Sequence, residues 1–338
     1  MRLDDIDYEL PAQLIAQHPI EPRDRARLLV DHGANSIEHL HVSDIVGQFA
    51  PGDVLVVNHT RVMHARLHLH RETGGRVEVL MLREHASSTT WEALVRPGGK
   101  IRAGEVLSDT AGRAILSMVG RAPDGDTFLV EPLVADIAAT MREIGEAPLP
   151  PYITERLADA TRYQTVYAHE ERSAAAPTAG LHFTPELLAS IRERGVRIEE
   201  VELVVGLDTF KPVTAEDPLD HVIHTERYRV APSVMDVCRA ARQSGRTVVA
   251  VGTTAARALE SAATTGVFEG DTNLFIYPGY EWKVVDRLMT NFHMPRTTLL
   301  LMISSFVGPR WRAIYTEAIE RRYRFLSFGD AMLLDRHA

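Results

Sequence analysis

The sequence predicts an α/β main domain interrupted by a small antiparallel β-barrel, and three features predict it. Two short apolar runs, Val54–Val57 and Thr247–Val251, each end in a polar or glycine turn, and the second leads into a helical pattern. Strand followed by helix is the mark of a parallel sheet. Between about Met63 and Leu133 the pattern switches to short alternating strands with glycine-rich turns and no helix, which reads as a small barrel. Pro148-Leu-Pro-Pro-Tyr152 then makes a stiff return. The expected division is a discontinuous α/β domain of residues 1–62 and 153–338, carrying the active site, and an inserted barrel of residues 63–152.

The elements follow in order. Leu67–His70 and Arg76–Leu82 alternate on either side of the turn Glu72-Thr-Gly-Gly75, so they form a hairpin. Trp91–Val95, Ala114–Val119 and Thr127–Val130 complete the barrel, with a turn at Arg96–Lys100. Ala135–Ile144 is a helix closed by Gly145. Thr184 is an N-cap, Pro185 a first helical residue and Glu186 a first-turn acid, which starts a helix running to Arg194 and stopping at Gly195. Val196–Val205 is a strand and Ser233–Ser244 a helix. Thr247–Val251 feeds Gly252-Thr-Thr254 and a helix over Ala255–Ala263. Val284–Leu288 reads as a strand, capped by Thr290-Asn-Phe-His-Met-Pro295. Thr297–Phe306 is an apolar helix. Arg310–Tyr323 is amphipathic, with Trp311, Ile314, Tyr315, Ala318 and Ile319 at helical spacing.

Composition narrows the function classes. With 338 residues, 45% hydrophobic and 25% charged, the chain is that of an ordinary globular protein. Its lone cysteine, Cys238, can make neither an internal disulfide nor a cysteine metal cage, which fits a reducing cytoplasm. The N-terminus lacks an apolar signal core, and the longest apolar run, Leu299–Ile303, is too short to span a bilayer. A net charge of −9 argues against a general nucleic-acid binder while leaving room for a local basic patch.

Candidate site residues cluster in three places. Ser173–Thr184 is rich in small residues and holds Thr178, Gly180 and His182, with Phe183 beside a helix start. Gly252-Thr-Thr254 joins a strand to a helix N-terminus, which suits a nucleotide or ribose, while the helix start at Pro185 suits a carboxylate or phosphate. Arg257, expected in the first turn of that helix, opposes the helix dipole and so reads as a residue that meets an anion. Asn291, Phe292 and His293 follow a strand end, as does Asn58-His-Thr-Arg61. Arg23, Arg322 and Arg324 are candidates for RNA phosphates, the last two in a basic helix end interleaved with Tyr323. His68 with His70, and His221 with His224 and Glu226, have metal-like spacing. Neither group has a further histidine at a useful distance, so hydrogen-bonded polar roles are preferred.

Several blocks carry a resemblance. Ala175-Ala-Pro-Thr-Ala-Gly-Leu-His-Phe-Thr184, Arg162-Tyr-Gln-Thr-Val-Tyr-Ala168, Val251-Gly-Thr-Thr254, Thr290-Asn-Phe-His293, Phe275-Ile-Tyr-Pro-Gly-Tyr280 and Gly329-Asp-Ala-Met332 resemble the S-adenosylmethionine:tRNA ribosyltransferase-isomerase family of the queuosine pathway. Pro22-Arg-Asp24 and Leu149-Pro-Pro-Tyr152 match as well, so the likeness covers nearly the whole chain. It implies transfer of the ribosyl part of S-adenosylmethionine to 7-aminomethyl-7-deazaguanine in a tRNA anticodon, giving epoxyqueuosine-tRNA, adenine and methionine. S-adenosylmethionine is then a co-substrate, and neither a recycled cofactor nor a metal is implied. His59 stands where the family usually has aspartate, Asp208 where it has glycine, Ala255-Ala256 where it has Ser-Val, and Arg172 where it has glycine.

That chemistry assigns expected roles. The sulfonium acidifies the ribose 5′ carbon, so a neutral histidine can serve as base; His182 is the first candidate and His293 the second. Phe183 and Phe292 offer aromatic faces to the sulfonium. Arg61 and Arg257 are candidates for the methionine carboxylate, and Thr178, Thr253, Thr254 and Asn291 for the ribose or adenine. The competing functions are an S-adenosylmethionine-dependent RNA methyltransferase, against which stands the lack of a glycine-rich GxGxG loop after the first strand, and a non-catalytic RNA-binding paralogue.

Overall fold

The structure is a computed structural model that describes residues 2–33, 36–84, 89–99, 101–122, 127–206, 213, 215, 217–221, 223 and 225–337. Asp208 and His224 lie outside the described residues. The chain divides into two compact units, one of Met1–Thr60, Pro151–Glu170 and Ala176–Ala338, the other of Arg61–Pro150 and Glu171–Ala175. No helix among the described residues is long and apolar enough to cross a membrane.

The first unit is built on a nine-stranded mixed sheet. At its centre Val54–Asn58 buries every residue, as a strand covered on both faces must. It pairs in parallel with Arg197–Leu203 on one side and with Val248–Val251 on the other, so the two apolar runs read from the sequence share one sheet. Arg287–Asn291 continues the parallel set, and Ala331–Asp335 runs antiparallel to it. Arg27–Asp31 and Ile37–His41 close one edge; Glu226–Arg229 and Glu269–Thr272 close the other. Helix Pro185–Glu193 packs on this sheet through Leu187, Leu188 and Ile191, which join Leu55, Val57, Val249 and Val251 in one buried cluster. Its start is as read from the sequence: Thr184 Oγ1 accepts the Leu187 N–H at 3.1 Å.

Two elements differ from the sequence reading for physical reasons. The strand expected at Val284–Leu288 lies at Arg287–Asn291. The backbone N–H groups of Lys283, Val284 and Val285 instead donate to the fully buried carboxylate of Glu260, at 2.9, 2.8 and 3.0 Å. A buried carboxylate needs such donors, and it has drawn an apolar segment out of the ladder. The helix expected from Ala255 begins at Gly252, directly at the strand end. Gly252 sits at φ +87°, a left-handed value that glycine tolerates and other residues resist.

The second unit contains the barrel. Strands Arg66–Arg71, Arg76–Glu84, Trp91–Arg96, Phe128–Pro132, Ala114–Arg121 and Val106–Ser108 follow one another around it, and pairing of His70 with Ser108 closes it. Closure removes the exposed edges that short antiparallel sheets otherwise carry. Gly145 is not a left-handed helix cap. It is extended and pairs with Leu67, and a Cβ there would stand 2.0 Å from the His64 carbonyl oxygen.

Candidate active site

Parallel strands bring their C-terminal ends to one edge of a sheet, where ligand sites of α/β proteins form. Here a cavity opens at the ends of Val248–Val251 and Arg287–Asn291. It is lined by Thr178 and Ala179, by Gly252, Thr253 and Thr254, by Thr290 to Met294, and by Tyr152, Leu326 and Ser327. Its empty space, counting the open solvent at its mouth, is about 630 Å³. The free N–H groups of the helix starting at Gly252 form part of one wall, and the buried Thr254 hydroxyl there has no hydrogen-bond partner.

A polar chain runs from the wall inward. The Thr178 hydroxyl donates to Asn291 Oδ1 at 3.0 Å, which orients the amide so that its N–H donates to His182 Nε2 at 3.2 Å. His182 is therefore the tautomer with its proton on Nδ1. Its pKa is held down at about 4, first by burial and then by Arg324 and Arg23. His293 borders the cavity itself. Its Nε2 lies 3.0 Å from the Thr290 hydroxyl, and burial lowers its pKa to about 3. Its backbone is clamped on both sides: its N–H donates to the Tyr315 hydroxyl at 3.1 Å, and its carbonyl accepts from the Tyr8 hydroxyl.

The structure thus brings Thr178, Gly252, Thr253, Thr254, Asn291, Phe292 and His293 to one cavity, with His182 reaching it through Asn291. Other candidates sit elsewhere. Phe183 is wholly buried in the core under the sheet and offers no face to a ligand. Gly180 admits a neighbour, not a ligand: a Cβ there would stand 2.0 Å from the Tyr167 hydroxyl, and its φ is not left-handed. Arg257 meets an anion of its own chain. It forms a buried ion pair with Glu226, and it is the sixth residue of the helix, not in its first turn. Arg61 belongs to the second unit, where it lies 3.6 Å from Glu171.

The three RNA candidates differ in the same way. Arg23 donates to the carbonyls of Gln164, Thr161 and Leu181, and Arg324 to that of His18. Both act as straps between segments, while the Arg322 side chain is exposed. Sequence reasoning missed Tyr152 and Ser327, whose hydroxyls are 2.7 Å apart at the cavity. It also missed Leu326, which lines the cavity with a left-handed φ of 69° that bulky residues rarely adopt. Tyr152 stands in a block that carried the resemblance, and Leu326 and Ser327 lie two to three residues before another.

Comparison with known proteins agrees over the full length. A family model described as "Queuosine biosynthesis protein" matches residues 3–334. A protein of Moorella thermoacetica named S-adenosylmethionine:tRNA ribosyltransferase-isomerase is 49% identical over 99% of this chain and 100% of its own. One of the same name from Staphylococcus epidermidis is 44% identical over the same shares. The crystal structure of S-adenosylmethionine tRNA ribosyltransferase from Thermotoga maritima superposes with a TM-score of 0.56 at 36% identity, covering 98% of this chain and 99% of that one. A cavity at the strand ends, built from the very blocks that carry the likeness, and full-length relatives of one name together make this chain a member of the S-adenosylmethionine:tRNA ribosyltransferase-isomerase family of queuosine biosynthesis.

Proposed function

We propose that the chain transfers and isomerises the ribosyl part of S-adenosylmethionine onto the aminomethyl group of 7-aminomethyl-7-deazaguanine in a tRNA anticodon, in the cytoplasm. Adenine and methionine leave, and epoxyqueuosine remains on the tRNA. The cavity carries this assignment. It lies at the C-terminal ends of parallel strands, it ends on a helix N-terminus suited to ribose oxygens, and it has a buried neutral imidazole on its wall.

Within it we assign His293 as the group that takes the 5′ proton, because it borders the cavity. His182 supports the site indirectly: it does not line the cavity and meets it through the Asn291 amide, which it helps to orient. Thr253 and Thr254 face the ribose, while the Phe292 ring, although the residue lines the cavity, is fully buried against Tyr315, Tyr323 and Phe325. No metal takes part in this chemistry. Exposed Arg322 is the RNA contact among the three arginines.

Isotope placement tests the reaction. Carbon-14 in the ribose of S-adenosylmethionine should move into tRNA, and carbon-14 in the methyl group should leave as methionine. Methyl label arriving in the RNA would reject ribosyl transfer in favour of a methyltransferase.

A further inference from the structure

We propose that His59, His169 and Glu200 form a binding site for a zinc-class divalent cation, with Glu202 orienting His59 from behind. The site lies in the first unit, and none of these four residues lines the cavity described above. His59 directly follows the strand Val54–Asn58, and its carbonyl accepts the His169 N–H at 3.2 Å, which sets the two histidines side by side. Their rings stack with centroids 4.3 Å apart. The neighbouring strand Arg197–Leu203 carries Glu200 and Glu202 two residues apart, so both project from one face.

The distances suit a cation. His169 Nε2 stands 3.0 Å from the Glu200 carboxylate and His59 Nδ1 stands 3.6 Å from it. One donor atom from each of the three residues lies within 4.8 Å of the other two. Donors about 2.0–2.1 Å from a tetrahedral zinc stand roughly 3.3 Å apart, so modest rotation of the exposed His169 completes the geometry. An independent observation points the same way. His59 is only 8% exposed, yet neither of its ring nitrogens has a hydrogen-bond partner. Buried polar atoms are nearly always satisfied. A cation on Nδ1 satisfies one of them and leaves Nε2–H to turn toward Glu202, 3.9 Å away, itself held by Arg229 at 3.0 Å. That is the carboxylate–histidine–metal arrangement that fixes a ligand's tautomer.

Two imidazoles and a carboxylate favour Zn²⁺, and Co²⁺ or Ni²⁺ with it, over the oxygen-seeking Mg²⁺ and Ca²⁺. His169 and Glu200 are about half exposed, which gives the cation an entry path and room for a water ligand. The bound cation ties the segment ending at His169 to the sheet. This departs from the expectation of a metal-free protein and concerns structure, not the transfer chemistry. It arises at a position, His59, where the family resemblance implies aspartate.

Titration of the chelator-treated full-length protein with Zn²⁺, by calorimetry, tests the site, with Co²⁺ as a spectroscopic probe. The expected result is saturable binding of one equivalent, visible bands of four-coordinate Co²⁺, and a higher melting temperature. His169→Ala, at an exposed position where folding is not at stake, should weaken affinity at least tenfold, as should His59→Ala. Glu202→Gln should weaken it about tenfold by loss of the orienting partner, and the surface control His41→Ala should leave it unchanged. Absence of one-equivalent binding by the folded wild type, or binding that His169→Ala leaves intact, would overturn the proposal.

Discussion

Asn291 donates its side-chain amide to His182 Nε2 at 3.2 Å, in a pair almost closed to solvent. On its other side the amide oxygen accepts from the hydroxyl of Thr178. The two residues therefore act as a unit. Asn291→Ala leaves a buried nitrogen unpaired, at a cost of about 1–3 kcal/mol. His182→Ala should cost a similar amount of stability, and the double variant should be little less stable than either single one. Fully additive losses in that double-mutant cycle would show that the residues act separately.

His293 should behave differently. As the proton-removing group it should lose about 10²–10⁴-fold in single-turnover rate when replaced by alanine, with little change in S-adenosylmethionine binding. A His293→Ala rate within about tenfold of wild type lies below the general-base range and would return that role to another residue.

Acid stability follows from the same two imidazoles. Unfolded, each has a pKa near 6.5; folded, they sit at about 4 and about 3 because burial disfavours their charged forms. Between roughly pH 6.5 and 4 the unfolded chain binds protons that the native one refuses, so stability falls as pH falls through that window and is complete above it. Each histidine contributes a slope of about 1.4 kcal/mol per pH unit there. Denaturant unfolding from pH 7 to 4 should show a shallower acid limb in His182→Asn and His293→Asn. An unchanged limb would mean that these side chains are not buried in neutral form.

Salt dependence separates the arginines. If Arg322 meets a tRNA phosphate, Arg322→Ala should lower the log–log salt slope of tRNA binding by roughly 0.7–0.9. Arg23→Ala should instead lower the melting temperature, because its guanidinium holds three backbone carbonyls. A slope unchanged in Arg322→Ala would remove it from the RNA surface.

Much of this was legible in the chain. The central strands announce themselves as uninterrupted apolar runs, and the barrel as alternation broken by glycine turns, because both patterns follow from which faces are covered. Thr184-Pro185-Glu186 fixed a helix start through local hydrogen bonding alone. What escaped was set by long-range contacts. Glu260 lies inside a helix, yet its carboxylate decides where the strand after Val285 begins. Edge strands such as Ile37–His41 bury too little to show a clear period. Within the site, residue type pointed to the right blocks but not to the right atoms. Arg257 asked for an anion, and only the fold reveals that Glu226 supplies it. Gly180 looked like room for a ligand and is room for Tyr167. Leu326 and Ser327 gave no local signal, because an apolar residue and a serine in a loop look the same inside and outside a pocket.

The most direct measurement is of the small products. The protein should be mixed with S-adenosylmethionine and a tRNA stem-loop bearing the aminomethyl base, and the supernatant resolved by chromatography. Adenine and methionine should appear together in equal amounts, only when the aminomethyl base is present, with the RNA gaining the mass of the ribosyl-derived ring. Formation of S-adenosylhomocysteine, or tRNA binding with no consumption of S-adenosylmethionine, would contradict ribosyl transfer.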